Sequence, residues 1–232
     1  MTETLANMQT ETEDFSQSPV KLISWTQTAS GEKNLEEIVA YCARVSNPTN
    51  QELNQNNSKL IDYLIRNSHW SPFEMVTICL EINTTRDIAR QILRHRSFSF
   101  QEFSQRYAKS SCNFVVRETR LQDHKNRQNS LETNDEELNV KWIEIQNRIG
   151  NECRNAYEWA ITNGIAKEQA RVILPEGNTP TKMYMSGTLR SWMHYIQIRS
   201  EKGTQKEHRV VAIECANAIK PIFPLIEKFL SE

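Results

Sequence analysis

The chain has 232 residues with 28 basic and 29 acidic side chains, a formal net charge of −1. That length gives one domain, at most two, and the near-neutral balance excludes the basic excess of proteins that coat nucleic acid. Five dispersed cysteines (Cys42, Cys79, Cys112, Cys153, Cys215) show no CxxC or Cys/His ligand spacing, which argues for reduced thiols and against a disulfide frame or a metal site.

Met1 to about Ser18 is polar and acidic, without the apolar core of a secretory signal, and is read as a flexible tail. No stretch approaches the ~20 apolar residues of a membrane span, so a cytoplasmic protein is expected. Val20–Trp25 is predicted as a first strand. Asn34-Leu-Glu-Glu37 has capping-box spacing, and Leu35, Ile38, Val39, Cys42 and Val45 then share one helix face. A second helix, roughly Ser58 to Asn67, turns Leu60, Ile61, Leu64 and Ile65 inward. In His69-Trp-Ser-Pro-Phe-Glu74, Pro72 favours an extended Ser71. The segment leads into a strand over Glu74–Asn83, where Val76, Ile78, Leu80 and Ile82 alternate with Thr77, Cys79 and Glu81.

Thr84 or Thr85 could cap the next helix. There Ile88, Ala89, Ile92 and Leu93 face a core, while Arg90, Gln91, Arg94 and His95 share the opposite face. Five arginines and no lysine stand between Thr84 and Tyr107, a choice that favours planar, bidentate recognition of phosphate or carboxylate. After Arg96 the helical period dissolves into Ser-Phe-Ser-Phe-Gln-Glu-Phe-Ser, read as a ligand-lining loop. Exposed Phe98, Phe100 and Phe103 among polar groups are hard to explain by solubility alone.

Beyond Tyr107, Phe114–Val116 reads as a strand and Arg117 to about Asp135 as a long loop, with His124 a solvated residue. Asn134-x-x-Glu137 opens the longest helix, with a buried stripe of Leu138, Trp142, Ile145, Ile149, Cys153, Ala156 and Ala160, ended by Gly164. Trp142, Tyr157 and Trp159 are read as packing residues. A short helix over Lys167–Leu174 carries Arg171, and Thr181–Ser186 is a strand. Thr188 could cap a helix with Arg190, His194 and Ile198 on one face and Trp192, Tyr195 and Arg199 on another. A last long helix spans Gln205 to Lys220. No GxGxxG or Walker loop is present, so a Rossmann or P-loop nucleotide site is not supported.

Arg94-His95-Arg96, seven residues, then Ser104 resembles the RHRx7S signature of the flavin-dependent (alternative) thymidylate synthases. The segment from His69 to Glu74, Ala170-Arg171-Val-Ile-Leu-Pro175 and Gly187-Thr-Leu-Arg190 through Arg199 are similar to further blocks of that family, in the same order. Thr188 and His194 depart from it, standing where many members have Asn. The resemblance implies an α+β fold, a mostly antiparallel sheet flanked by long helices, with residues 19–232 as a single catalytic domain. It implies reductive methylation of dUMP to dTMP, with FAD reduced by NADPH and methylenetetrahydrofolate as carbon donor, in a homotetramer with sites at subunit interfaces. By the same resemblance Ser71, Arg94, His95, Arg96, Glu102, Thr188, Arg190 and His194 hold flavin, and His69 lies towards folate. Gln91, Ile92, Leu93, Arg94, Glu102, Phe103, Ser104, Gln105, Arg106, Arg171 and Arg199 hold dUMP, with Arg199 acting on the uracil ring. No cysteine sits in the basic setting that a thiolate nucleophile needs. Ser104 is read as a phosphate-loop residue, whose loop could offer backbone N–H groups to an anion. The competing readings are a single-stranded nucleic-acid module, with the arginine stretch as a stacking groove, and an assembly subunit with ion pairs across an interface.

Overall fold

A computed structural model describes residues 18–51 and 56–231, so the expected tail falls outside it except for Ser18. The elements are β1 (Val20–Trp25), α1 (Leu35–Ala43), α2 (Pro48–Gln51), α3 (Asn57–Arg66), β2 (Thr77–Thr85), α4 (Arg86–Ile92) and β3 (Phe98–Glu102). They continue with β4 (Arg120–Gln122), β5 (Ser130–Glu132), α5 (Glu136–Thr162), α6 (Lys167–Ala170), β6 (Pro180–Thr188), α7 (Leu189–Arg199) and α8 (Lys206–Ile219).

A four-stranded sheet, order β1-β2-β6-β3, is antiparallel throughout. The alternation read from β2 sets its faces: Ile78, Leu80 and Ile82 lie in the core, joined by Met183 and Met185 of β6. Thr77, Cys79 and Glu81 lie on the other, partly solvated face. Helices α4, α7 and α8 pack on the apolar side. This is the α+β architecture expected.

The box at α1 forms as read: the Asn34 side chain accepts from the Glu37 amide at 3.0 Å, and the Glu37 carboxylate accepts from the Asn34 amide at 2.8 Å. Val45 does not join that face, because α1 ends at Ala43 and Val45 falls in an exposed 3-10 turn. Ser71 is not extended either. Ser71–Glu74 is a 3-10 turn with Pro72 inside its first turn, where a missing N–H costs no bond. Strand β2 accordingly starts at Thr77, later than expected.

Two regions read as irregular are ordered strands. Ser97–Glu102 carries a period of two, with Phe98 buried and Phe100 half-buried, so β3 pairs with β6 and of the three phenylalanines only Phe103 is exposed. Within 117–135, β4 and β5 form a hairpin closed by Asp123, whose carboxylate accepts from the amides of Lys125 and Asn126 and from the Asn129 side chain. Conversely, Phe114–Val116 forms no strand; the Val115 amide and carbonyl bond to Asn178 instead.

Helix α5 starts one residue late, capped by Asp135 and not Asn134. Its apolar stripe is not buried within the chain: Leu138, Trp142, Ile149 and Ala156 are exposed, as is Trp159. Only Gly150, Tyr157 and Ala160 are buried on it. Gly164, with φ +78°, ends the helix in the left-handed conformation that favours glycine.

Gly187 of β6 lies opposite Phe98 of β3, and a Cβ there would sit 2.4 Å from the ring. Phe98 is wedged against Trp192, with ring centroids 4.8 Å apart, and also meets Phe100 and Tyr195, so any shift of the ring disturbs those contacts. Gly187→Ala is therefore expected to destabilise the fold by about 1–3 kcal/mol, the usual cost of overpacking. A lowered denaturation midpoint at unchanged slope would show it; an unchanged midpoint would show that the ring can yield.

Candidate active site

Helix α4 ends at Ile92 because Phe98 must enter the core five residues after Leu93, and successive tight turns bridge the gap. The expected shared face of Arg90, Gln91, Arg94 and His95 is thereby broken up. Arg90 pairs with Glu176, Gln91 turns inward, and Arg94 and His95 lie beyond the helix. Leu93 is exposed, while Ile92 is fully buried and can offer a ligand only its backbone. Thr85 sits at the N-cap position without capping; its hydroxyl bonds to Asp87 and accepts from Arg117.

Arg94 and Arg96 are exposed, with no ion-pair partner among the described residues. His95 between them folds inward. Its Nε2 accepts a 2.9 Å hydrogen bond from Arg199 Nε, and its ring stands edge-on to Tyr195 at 4.9 Å. Burial, then the charges of Arg199, His194 and Arg94, lower its pKa to about 4. His95 is therefore neutral near pH 7, with its proton on Nδ1. Arg199 is oriented through Nε, and its two terminal nitrogens have no partner among the described residues.

A cavity of about 390 Å³, which neither His95 nor Arg199 lines, is walled by Trp70, Glu74, Ser97, Arg190, His194 and Gln197 among others. Arg190 pairs with Glu74, and Ser71 is exposed in the same 3-10 turn. The Thr188 hydroxyl is used locally: it caps α7 by accepting from the Ser191 amide at 3.3 Å, as the sequence suggested. Trp70 and Glu74 were not among the expected site residues. Their nearness to Arg190 comes from packing of the 3-10 turn on α7, which no local pattern announces.

The remaining candidates gather at the far end of β3. Glu102 is held by Arg86 at 3.1 Å and Thr181 at 2.9 Å. Gln105 is buried and bonds to Ser110, Phe103 is exposed, and Arg106 pairs with Glu168 of α6 at 3.3 Å. Lys167 donates to the Tyr107 carbonyl, tying α6 to this loop, with half-buried Arg171 just beyond it. The Ser104 hydroxyl accepts from the Arg106 amide at 3.4 Å and has no histidine or carboxylate beside it to activate it. The Arg106 amide is thus spent within the loop, whereas those of Ser104 and Gln105 have no partner among the described residues. The five residues of β3 separate this loop from Arg94–Arg96, about 16 Å of extended chain.

A buried polar chain went unread in the sequence. His208 of α8, fully buried, faces Tyr195 through Nε2 and Gln91 through Nδ1, each at 3.2 Å. Gln91 continues to Gln205 at 2.7 Å, Gln205 to Glu207 at 3.0 Å, and Glu207 to Arg120 at 2.6 Å. Histidine at an inward position of α8 was the available signal.

A two-layer α+β fold that sets Arg94 and Arg96 in the turn after α4, and Arg190 and Arg199 on α7 with Arg190 lining a partly aromatic cleft, defines a protein for anionic, ring-bearing ligands. Residues 21–225 match the family model described as thymidylate synthase complementing protein. A probable flavin-dependent thymidylate synthase of Paramecium bursaria Chlorella virus 1 is 51% identical over 204 residues, 88% of this chain and 92% of the relative. A flavin-dependent thymidylate synthase of Synechocystis sp. is 51% identical over 191 residues, 82% of this chain and 87% of the relative. In fold the chain is similar to a UMP/dUMP methylase, PolB, of Streptomyces cacaoi bound with 5-Br dUMP. There the TM-score is 0.77 at 24% identity, over 90% of this chain and 93% of that one. The chain belongs to the flavin-dependent thymidylate synthase family.

Proposed function

We propose that residues 19–232 act as one catalytic domain that converts dUMP to dTMP, with the chemistry centred on Arg199. The class of reaction follows from the family: a flavin-dependent thymidylate synthase, a methyltransferase that uses FAD. The observation that carries the site is the Arg199 guanidinium, oriented by neutral His95, whose two terminal nitrogens have no partner among the described residues; Arg94 and Arg96, flanking His95, have no ion-pair partner there either. The donor set fits a flavin dinucleotide: unpaired cations for its phosphates, and a cleft with Trp70 and Phe229 in its wall for a flat ring. Arg94, His95, Arg96, Ser71, Glu102, Arg190 and His194 would hold it, with Thr188 contributing mainly by capping α7. Reduced by NADPH, the bound flavin supplies the hydride, and methylenetetrahydrofolate the carbon.

Toward dUMP, Arg106, Arg171 and the free amides of Ser104 and Gln105 suit the phosphate, while Gln91 and Arg199 suit the pyrimidine. Because β3 stands between these two sets, one nucleotide would meet both most readily if they came from different subunits. The exposed apolar stripe of α5 supports the same conclusion, a homotetramer with shared sites. Among the described residues no helix is long and apolar enough to cross a membrane. Five free cysteines fit the reducing cytoplasm.

The single-stranded nucleic-acid reading is not favoured, since Arg90 and Arg106 pair with Glu176 and Glu168 and are not left for phosphates. Purified protein is expected to be yellow and to release a flavin spectrum on denaturation. Colourless protein that takes up no added FAD would remove the reading of Arg94, Arg96 and Arg190 as cofactor ligands.

A further inference from the structure

We propose that His208 is a positioning residue for substrate, fixing the side-chain orientation of Gln91 and, through Tyr195, the ring of His95 that orients Arg199. The proposal rests on the reading of Gln91 and Arg199 as dUMP ligands given above.

At the far end of the polar chain the donor directions are forced. Burial pushes the Glu207 carboxyl up, yet hydrogen bonds from Arg120, its own amide and Gln205, with the charge of Arg117, hold it below the usual carboxylate range. It is therefore ionised and can only accept. Gln205 must turn its NH2 to Glu207, which leaves its Oε1 facing Gln91. Gln91 must then donate through Nε2 to Gln205, which leaves its own Oε1 facing His208 Nδ1. Nδ1 must carry a proton, and burial, then Arg199 and His95, hold His208 neutral with a pKa of about 3. So Nε2 is bare, and the Tyr195 hydroxyl donates to it at 3.2 Å. Burial keeps that phenol protonated.

Every link thus runs one way, from Tyr195 to the Glu207 carboxylate, and each bond polarises the next. Two consequences reach the site. Gln91 cannot flip its amide without setting NH2 against a ring N–H, so it presents one donor pattern to whatever lies beside α4. Tyr195, fixed at its hydroxyl, presents its ring to His95 at 4.9 Å, and His95 fixes Arg199 Nε. No described side chain other than His208 joins these two arms.

The test uses the full-length flavin-loaded protein. In 15N-labelled wild type the His208 ring should show the Nδ1–H neutral tautomer, unchanged down to about pH 5. An Nε2–H tautomer, or protonation near pH 6, would overturn the proposal without any variant. His208→Leu should keep its flavin and raise the dUMP KM roughly tenfold, the usual scale for a buried partner left unpaired. His208→Asn, which can still donate to Gln91 Oε1, should recover most of that loss. Equal KM values for wild type and His208→Leu, or equal losses for Leu and Asn, would sink it. Should wild type itself fail to bind dUMP, the underlying assignment of the site is at fault and not the role of His208.

Discussion

Arg199→Lys is expected to lose dTMP formation by roughly a hundred- to a thousandfold at saturating dUMP while keeping its bound flavin. Making C5 of uracil nucleophilic builds negative charge on the ring. A fixed cation in a water-poor cleft stabilises that charge more in the transition state than in the ground state. The loss of one such donor costs about 2.7–4 kcal/mol. Lysine keeps the charge but not the geometry. It has no Nε–H to give His95 Nε2, and an ammonium on a flexible stem replaces a fork held in one plane. Flavin retention separates this from collapse of the cleft, since Arg94, Arg96 and Arg190 remain. Arg171→Ala, by contrast, should mainly raise the dUMP requirement by removing a phosphate partner. Single-turnover formation of dTMP would check the difference. Near-normal turnover in Arg199→Lys with only weakened dUMP binding would place the charge stabilisation elsewhere.

The strands β1, β2 and β6, the box at Asn34 and the helices α7 and α8 were legible because each states its period within one segment. Strand β3 was not, although Ser97-Phe-Ser-Phe-Gln-Glu102 alternates as plainly as β2 does. The arginine and hydroxyl content in and around it carries a ligand-loop signal as strong as the two-residue period of a half-buried strand, and composition alone does not separate the two. The α5 stripe was legible as apolar but not as unpartnered, for a sequence does not say which apolar face is covered by its own chain. Site residues named by resemblance fell into two sets at opposite ends of β3, a separation that spacing along the chain conceals. His208 and Glu207 were invisible for the opposite reason: their partners Gln91 on α4 and Arg120 on β4 lie more than eighty residues away, and only tertiary packing around α8 brings them together.

The fold beneath the site should be most sensitive at Trp192. Its indole is fully buried on α7, donates to the Ile78 carbonyl of β2 at 3.1 Å, and meets Phe98 edge-on with centroids 4.8 Å apart. Tyr195, whose ring carries His95, is 5.9 Å away. Trp192→Ala removes the largest fully buried side chain and opens a cavity where α7 meets β2 and β3. Such changes cost about 3–5 kcal/mol, to which the lost indole N–H bond adds little, because the Ile78 carbonyl also faces Gly187 in the β2–β6 ladder. For a chain of this length each kcal/mol moves the midpoint by about 2–4 °C, so Tm should fall by roughly 6–20 °C at fixed protein concentration. Trp192→Phe keeps a ring against Phe98 but not the N–H, and should lose less. The order wild type, Phe, Ala should reappear in the temperature at which bound flavin is released, because Phe98 and Tyr195 together position the turn that carries Arg94, His95 and Arg96. An alanine variant that melts within about 2 °C of wild type would mean that α7 closes over the gap, and that the platform under His95 does not depend on the indole.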